Sequence, residues 1–229
     1  NTNNSSGSSF VQAFRNTTVP GSTNFTFTAV SGLATAGRPF NLASLDLDGD
    51  GRPELVSTNI DLGGGNPNVT SVFRNVSISG TLGFATRQDF PSGSDGIGVA
   101  LGDLDGDGKT DIVVSNYSTN SLLVLHNASG SGSINFTTSS PLTGLSNPRG
   151  VAIGDFDFDG KPDIVVSDQS NSRVAFYLNR NSTTGTISFT TTPSLTFATG
   201  GSPFEGLSIG EFDGDGKIDF AVANTNNTL

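Results

Sequence analysis

The 229-residue chain contains no cysteine, methionine or tryptophan, and only one histidine and two tyrosines. Without cysteine there are no disulfides and no thiol chemistry, and a zinc site has no thiolates and a single imidazole to draw on. Lys and Arg together number 11 against 21 Asp and Glu, so the basic face that nucleic-acid binding needs is missing. No apolar run reaches the length of a membrane-spanning helix, and no secretory leader is present. The first residue is Asn rather than Met, which reads as a mature or trimmed product and is compatible with secretion. With no Trp and two Tyr the aromatic platforms typical of sugar sites are scarce, which weakens a lectin reading without excluding it. No segment shows a helical period of apolar residues.

What the chain does have is one short acidic pattern written four times. The copies are Asp46-Leu-Asp48-Gly-Asp50-Gly-Arg52-Pro-Glu54, Asp103-Leu-Asp105-Gly-Asp107-Gly-Lys109-Thr-Asp111, Asp155-Phe-Asp157-Phe-Asp159-Gly-Lys161-Pro-Asp163 and Glu211-Phe-Asp213-Gly-Asp215-Gly-Lys217-Ile-Asp219. Their first residues lie 57, 52 and 56 positions apart. Each copy places carboxylates at its first, third, fifth and ninth positions. Carboxylates on alternate residues of a tight loop can turn toward one point, and calcium takes six to eight oxygens. The glycine at the sixth position (Gly51, Gly108, Gly160, Gly216) permits the sharp turn. The seventh residue (Arg52, Lys109, Lys161, Lys217) is expected to give its backbone carbonyl, with its side chain in solvent. The ninth acid is expected to close the site as a bidentate ligand. An EF-hand begins similarly but closes with Glu at the twelfth position and continues into a helix. Here the closing acid runs into a strand. Magnesium disfavours all-protein cages. Isolated Asp-Gly pairs could be plain turn formers, but four copies in register argue for four calcium sites. Phe158 stands where the other copies have glycine; it stiffens the third loop or packs on a neighbour.

The four loops hold sixteen of the 21 acids, so four calcium ions would bring the formal charge from −10 to about −2. Calcium sites of the weaker, extracellular kind work near millimolar ion, which places the protein outside the cell, secreted or at a cell surface. Asn-x-Ser/Thr triplets begin at Asn3, Asn4, Asn16, Asn24, Asn68, Asn75, Asn116, Asn127, Asn135, Asn181 and Asn226. Glycans are expected at Asn16, Asn24, Asn68, Asn75, Asn116, Asn127, Asn135 and Asn181, at strand ends and turns.

Aligning the copies gives a four-strand unit. In the second it reads 97–102, 111–116, 121–127 and 134–138; in the third, 150–154, 163–167, 173–179 and 186–190; in the first, 40–45, 54–58, 69–75 and 83–86. Four short antiparallel strands per repeat of this length make a β-propeller blade. Before the first loop, residues 10–16 and 24–28 match the third and fourth strands of a blade, Phe14-Arg-Asn16 corresponding to Phe73-Arg-Asn75. After the last loop only Asp219-Phe-Ala-Val-Ala223, a second strand, follows. The predicted fold is therefore an all-β, propeller-like array over 1–229, with 1–8 a linking segment, three complete blades and two complementary half-blades. The halves can complete each other within one chain, or between chains, where a head-to-tail contact need not close and yields a filament. A piece of a longer propeller is the third arrangement.

The stretch Gly98-Val-Ala-Leu-Gly-Asp-Leu-Asp-Gly-Asp-Gly-Lys-Thr-Asp-Ile-Val-Val114 and its three relatives resemble the FG-GAP/VCBS calcium-binding propeller repeats of integrin α-subunits and secreted microbial proteins. The literal Phe-Gly and Gly-Ala-Pro words are missing, so the microbial form is the nearer match. The resemblance implies that the metal loop joins the first two strands of each blade, and that the protein serves adhesion, carbohydrate binding or scaffolding rather than catalysis.

An enzyme is not expected. The acids outside the loops (Asp61, Asp89, Asp95, Asp168, Glu205) are scattered without forming a pair suited to glycoside hydrolysis. His126 matches Arg15, Arg74 and Leu178 in the other copies and reads as a strand-end surface residue. Gly63-Gly-Gly65 lacks the Lys-Ser/Thr of a phosphate loop and reads as a turn. The recurring Phe27, Phe84, Phe136 and Phe189 read as core between blades. The first functional reading is a calcium-stabilised structural or adhesive protein with itself as partner. The alternative is a discrete propeller that binds a glycan or a protein.

Overall fold

A computed structural model describes residues 9–60 and 68–225. The expectations for residues 1–8, Asp61, Gly63 to Gly65 and Asn226 lie outside the described residues. Three four-stranded antiparallel sheets form in chain order. Ahead of them, β1 (Phe10–Val11) with β2 (Phe14–Asn16) and β3 (Phe27–Ala29) with β4 (Leu33–Ala34) are two interrupted strands paired with each other. The first blade holds β5 (Arg38–Leu45), β6 (Glu54–Ile60), β7 (Val69–Phe73) and β8 (Gln88–Pro91). The second holds β9 (Gly96–Gly102), β10 (Asp111–Asn116), β11 (Ser121–Asn127) and β12 (Phe136–Thr138). The third holds β13 (Pro148–Gly154), β14 (Asp163–Asp168), β15 (Arg173–Tyr177) and β16 (Leu195–Ala198), and then β17 (Pro203–Gly210) pairs with β18 (Asp219–Asn224). Among the described residues the only helical element is a short 3-10 turn, Gln169–Asn171. The propeller-like array of three blades and two half-blades is the architecture observed.

Each acidic loop joins the first and second strands of a blade, in one register throughout. Glu54 pairs with Leu45, Asp111 with Gly102, Asp163 with Gly154 and Asp219 with Gly210. The second strands are short apolar runs because both their faces are covered. Ile112 and Val114 pack toward the first blade with Val56, Val72 and Leu47, whereas Val113 packs toward the third with Ile164 and Val166. All are essentially inaccessible, and each buried aliphatic side chain contributes about 1.5–3 kcal/mol. Hydroxyls at one position of the second strand reach the next blade: Thr58 Oγ1 donates to the Ile97 carbonyl, Ser115 to Arg149 and Ser167 to Phe204. The fourth copy has Ala223 there. First strands of successive blades run close together. A Cβ on Gly98 would sit 2.2 Å from the Arg149 carbonyl oxygen, and one on Gly150 2.6 Å from that of Glu205, so glycine is required at both.

The fourth strands depart from expectation. In the first and third blades the expected segments 83–86 and 186–190 make only the single bridges Asn75↔Phe84 and Asn179↔Phe189. Continuous pairing resumes downstream at Gln88–Pro91 and Leu195–Ala198. The fourth strand is thus longer than expected and interrupted. In the third blade the gap falls at Thr191-Thr-Pro193, where proline has no N–H for a ladder. In the second blade the expected segment pairs directly. The first half-blade repeats the same register, Asn16 facing Phe27 as Asn127 faces Phe136.

Candidate metal centres

Local hydrogen bonding shapes each loop before any ion is considered. The first acid accepts from N–H groups across the turn: Asp46 from Gly49 at 2.9 Å and Gly51 at 2.8 Å, Asp103 from Gly106 and Gly108 at 2.8 Å each. Asp155 accepts from Gly160, and Glu211 from Gly214 and Asp215. The sixth-position glycines take φ of 82–85°, as the turn requires. At the fourth position Gly49, Gly106 and Gly214 also lie at positive φ, and Phe158 is held at φ 61° while 55% exposed. More than half of its surface therefore faces solvent, and it joins none of the core clusters among the described residues.

The loops gather their acids as expected, though not all of them. Carboxylate oxygens within 4.8 Å of one another come from Asp46, Asp48 and Asp50; from Asp103, Asp105 and Asp111; from Asp155, Asp157 and Asp163; and from Glu211, Asp213 and Asp219. The fifth acids Asp159 and Asp215 instead pair with Lys161 at 3.1 Å and Lys217 at 2.6 Å, and these hydrogen bonds hold both carboxyls below their ordinary range. Arg52 pairs with Asp50, and Lys109 lies 3.9 Å from Asp107. The seventh side chains therefore stay 41–63% exposed while leaning back toward the fifth acid, because the turn places them two residues from a carboxylate.

The ninth acid has a structural job. Glu54 accepts from Leu47 N–H at 2.7 Å and Asn75 N–H at 3.1 Å. Asp111 accepts from Leu104 at 2.9 Å and Asn127 at 2.8 Å, and Asp163 from Phe156 at 3.0 Å and Asn179 at 2.8 Å. One carboxylate thus ties the loop's second residue to the end of the third strand. Burial pushes Asp111 up to about 6, and raises Glu54 and Asp163 as well. Each oxygen keeps a second lone pair, so an ion must share these carboxylates with two N–H donors.

The asparagines that face them are the residues sequence reasoning misread. Asn127 is buried, and its Nδ2 donates to the Thr110 carbonyl of its own loop and the Leu47 carbonyl of the preceding one. Asn179 does the same with Pro162 and Leu104, and Asn181 adds a second bond to Leu104. Asn75 donates to Pro53. Glycans expected at Asn75, Asn116, Asn127 and Asn181 are therefore incompatible with this fold, since all four are buried and a sugar on the first, third or fourth would displace these bonds. Asn16, Asn24, Asn68 and Asn135 are exposed. The signal that could have warned was their repetition at the third-strand end, Asn16, Asn75, Asn127 and Asn179.

His126 is likewise not a plain surface residue. Its Nε2 lies 2.8 Å from Asp105 Oδ2, a fully buried side chain, and it forms a cluster with Asp105 and Asp107. The approach is too oblique for a hydrogen bond, so Asp105 Oδ2 stays buried without one, as does Asp155 Oδ1. Buried carboxylate oxygens without donors are costly; a divalent cation is what such oxygens fit, and the four carboxylate-only sets suit calcium. Asp46, Asp48, Asp50, Glu54 and their counterparts in the other loops would hold it.

The remaining acids serve the scaffold. Asp89 pairs with Arg87, Glu205 with Arg149, and buried Asp168 with Arg173 at 2.7 Å. A polar cleft lined by Gly144, Arg173 and Pro193 has its one cation committed to that pair.

The family model described as FG-GAP-like repeat matches residues 59–114, 103–166 and 155–222. The first match begins in a second strand and the other two at the first acid of a loop, and each runs through the next acidic loop into the second strand that follows it. FG-GAP-type repeats typically build extracellular and adhesive proteins and are generally non-enzymatic. No curated protein matches the chain. No helix among the described residues is long and apolar enough to cross a membrane.

Proposed function

We propose, starting from a chain that belongs to the FG-GAP-like repeat family, that it is an extracellular structural and adhesive protein. Calcium at four loops stabilises it, and its copies join head to tail through their half-blades. The observation that carries the calcium reading is the pair of buried oxygens without donors, Asp105 Oδ2 and Asp155 Oδ1, inside carboxylate clusters. An ion neutralises each cluster and locks the first hairpin of its blade; without it the acids repel and the hairpin loosens. The ligands at each loop are the first, third, fifth and ninth acids with the seventh carbonyl. The exposed Asn24, Asn68 and Asn135 are the positions open to glycans, whereas a sugar on Asn16 would block the head-to-tail contact. Thermal unfolding with millimolar calcium and with chelator tests the metal, and negative-stain electron microscopy under both conditions tests assembly. A melting curve unmoved by chelator sinks the calcium reading. Uniform small particles in calcium sink the head-to-tail reading and turn the search to a glycan or protein ligand, which a glycan array would detect.

A further inference from the structure

The second blade contributes no large exposed apolar side chain, whereas Phe14 is 59% exposed at one end of the array and Phe197 47% at the other. The residues equivalent to Phe14 inside the array, Leu125 and Tyr177, are 0% exposed, because each pairs with the second strand of its own blade, Leu125 with Ile112 and Tyr177 with Ile164. Among the described residues the first half-blade has no second strand in its sheet, and β18 in the last half-blade has no third strand beside it. The acids show the same asymmetry. In the three complete blades the ninth acid accepts two N–H groups; Asp219 accepts that of Phe212 at 2.9 Å, and none from a third strand among the described residues. Asn16 already makes the local turn of its counterparts, its Oδ1 accepting from Thr18 N–H as Asn127 Oδ1 accepts from Ser129.

Resting on the head-to-tail reading, we infer that β18 of one copy pairs with the Phe10-to-Asn16 strand of a second copy, and that the partner subunit's Asn16 completes the fourth acidic loop. The internal blades set the register: Leu55↔Phe73, Ile112↔Leu125 and Ile164↔Tyr177 all join the residue after the ninth acid to the residue two before the asparagine. The composite blade therefore aligns Phe220 with the partner subunit's Phe14, and Ala221 with the partner subunit's Ala13. The N–H of the partner subunit's Asn16 meets Asp219 Oδ1. Its Nδ2 reaches the Ile218 carbonyl and that of Phe156 in the preceding loop, as Asn179 reaches Pro162 and Leu104. The partner subunit's Phe14 joins the ring cluster where Phe220 lies 5.6 Å from Phe176 and 6.4 Å from Phe197. A second copy is the occupant because its Phe14 and Asn16 repeat, at this register, the residues that complete the internal blades.

The chain lacks cysteine, so the register can be read by disulfides. Ala13→Cys protein mixed with Ala221→Cys protein in calcium under mild oxidation is expected to give a covalent dimer. Ala13→Cys with Val222→Cys, slipped by one residue, is expected to give less than a tenth as much. The double variant Ala13→Cys/Ala221→Cys is expected to give a ladder. A fast-migrating monomer from the double variant, or equal dimer from the slipped pair, overturns the inference. Asn16→Asp keeps the turn but loses the amide donor and faces Asp219 with like charge; it is expected to reduce assembly at least tenfold by light scattering while the calcium-induced rise in melting temperature persists. Assembly unchanged in Asn16→Asp also overturns it. A melting temperature indifferent to calcium beside register-specific cross-linking overturns the calcium reading and leaves this one standing.

Discussion

The first two acidic loops and the last two have nearly the same sequence and different surroundings. In the first pair the third acid is almost inaccessible, Asp48 and Asp105 each at 4%. Asp48 Oδ2 receives the N–H of Gly132 from the following blade, and the Leu47 and Leu104 carbonyls receive Asn127 and Asn179. In the second pair the equivalent Asp157 and Asp213 are exposed. An acidic loop of this kind is half a structure, and the blade that follows supplies the rest. Affinity, stability and pH response should therefore differ between the pairs although the ligand sets match.

Calcium removal should have the largest effect. At a free ion concentration ten times Kd each site adds about 1.4 kcal/mol. Calorimetry in chelator should show a melting temperature lower by many degrees, and calcium titration should resolve two tighter and two weaker sites. Four equal sites would break the comparison.

Asn127→Ala should come next. It strands two carbonyls, one buried and one part-buried, at about 1–3 kcal/mol each, so denaturant unfolding should show a loss of about 2–6 kcal/mol. Asn16→Ala in dilute, unassembled protein should stay within about 0.5 kcal/mol. Equal losses would mean the asparagine acts only within its own turn.

The pH response of calcium-free protein is smaller. Asp111, pushed from 3.8 to about 6 by burial, holds its proton more tightly folded than unfolded. Between about pH 4 and 6 the folded state therefore binds more protons, and stability falls as pH rises. Asp111→Asn should flatten that fall in urea titrations. With calcium bound, stability should rise over the same range, because the ion competes with the proton.

The smallest effect belongs to Phe158, the one non-glycine at the fourth loop position, at φ 61°. A bulky residue in the left-handed region costs about 1–2 kcal/mol. Phe158→Gly should raise the melting temperature of the unassembled protein by about 2–4 °C, whereas a drop would show that the exposed ring makes a contact that outweighs the strain.

The loops and the inner strands were legible because their signals are local. Asp111–Asn116 and Ser121–Asn127 begin and end where the alternation of turn residues and apolar runs puts them. The outer strands were less so. Phe84 and Phe189 were read as the middle of a strand, but they sit just before an interruption, and Pro193 marks the gap only once the pairing partner is known. The buried asparagines were read as glycan acceptors because a three-residue triplet carries no information about burial. Gly132 beneath Asp48 joins positions 84 residues apart, and nothing near either residue announces it. His126 has unlike equivalents in the other copies, which hides its role in the sequence, yet Arg74 also contributes to the charge environment of a loop acid, Asp50. The position faces the loops in both copies, with different chemistry.

The bond from Asn127 to the Leu47 carbonyl spans 80 residues, and it also sets an order in time. A ribosome adds about 5–20 residues per second, so the first loop is made roughly 4–16 s before the side chain that finishes it. Each of the first two loops waits for the blade that follows it, and that part of the chain matures one repeat late.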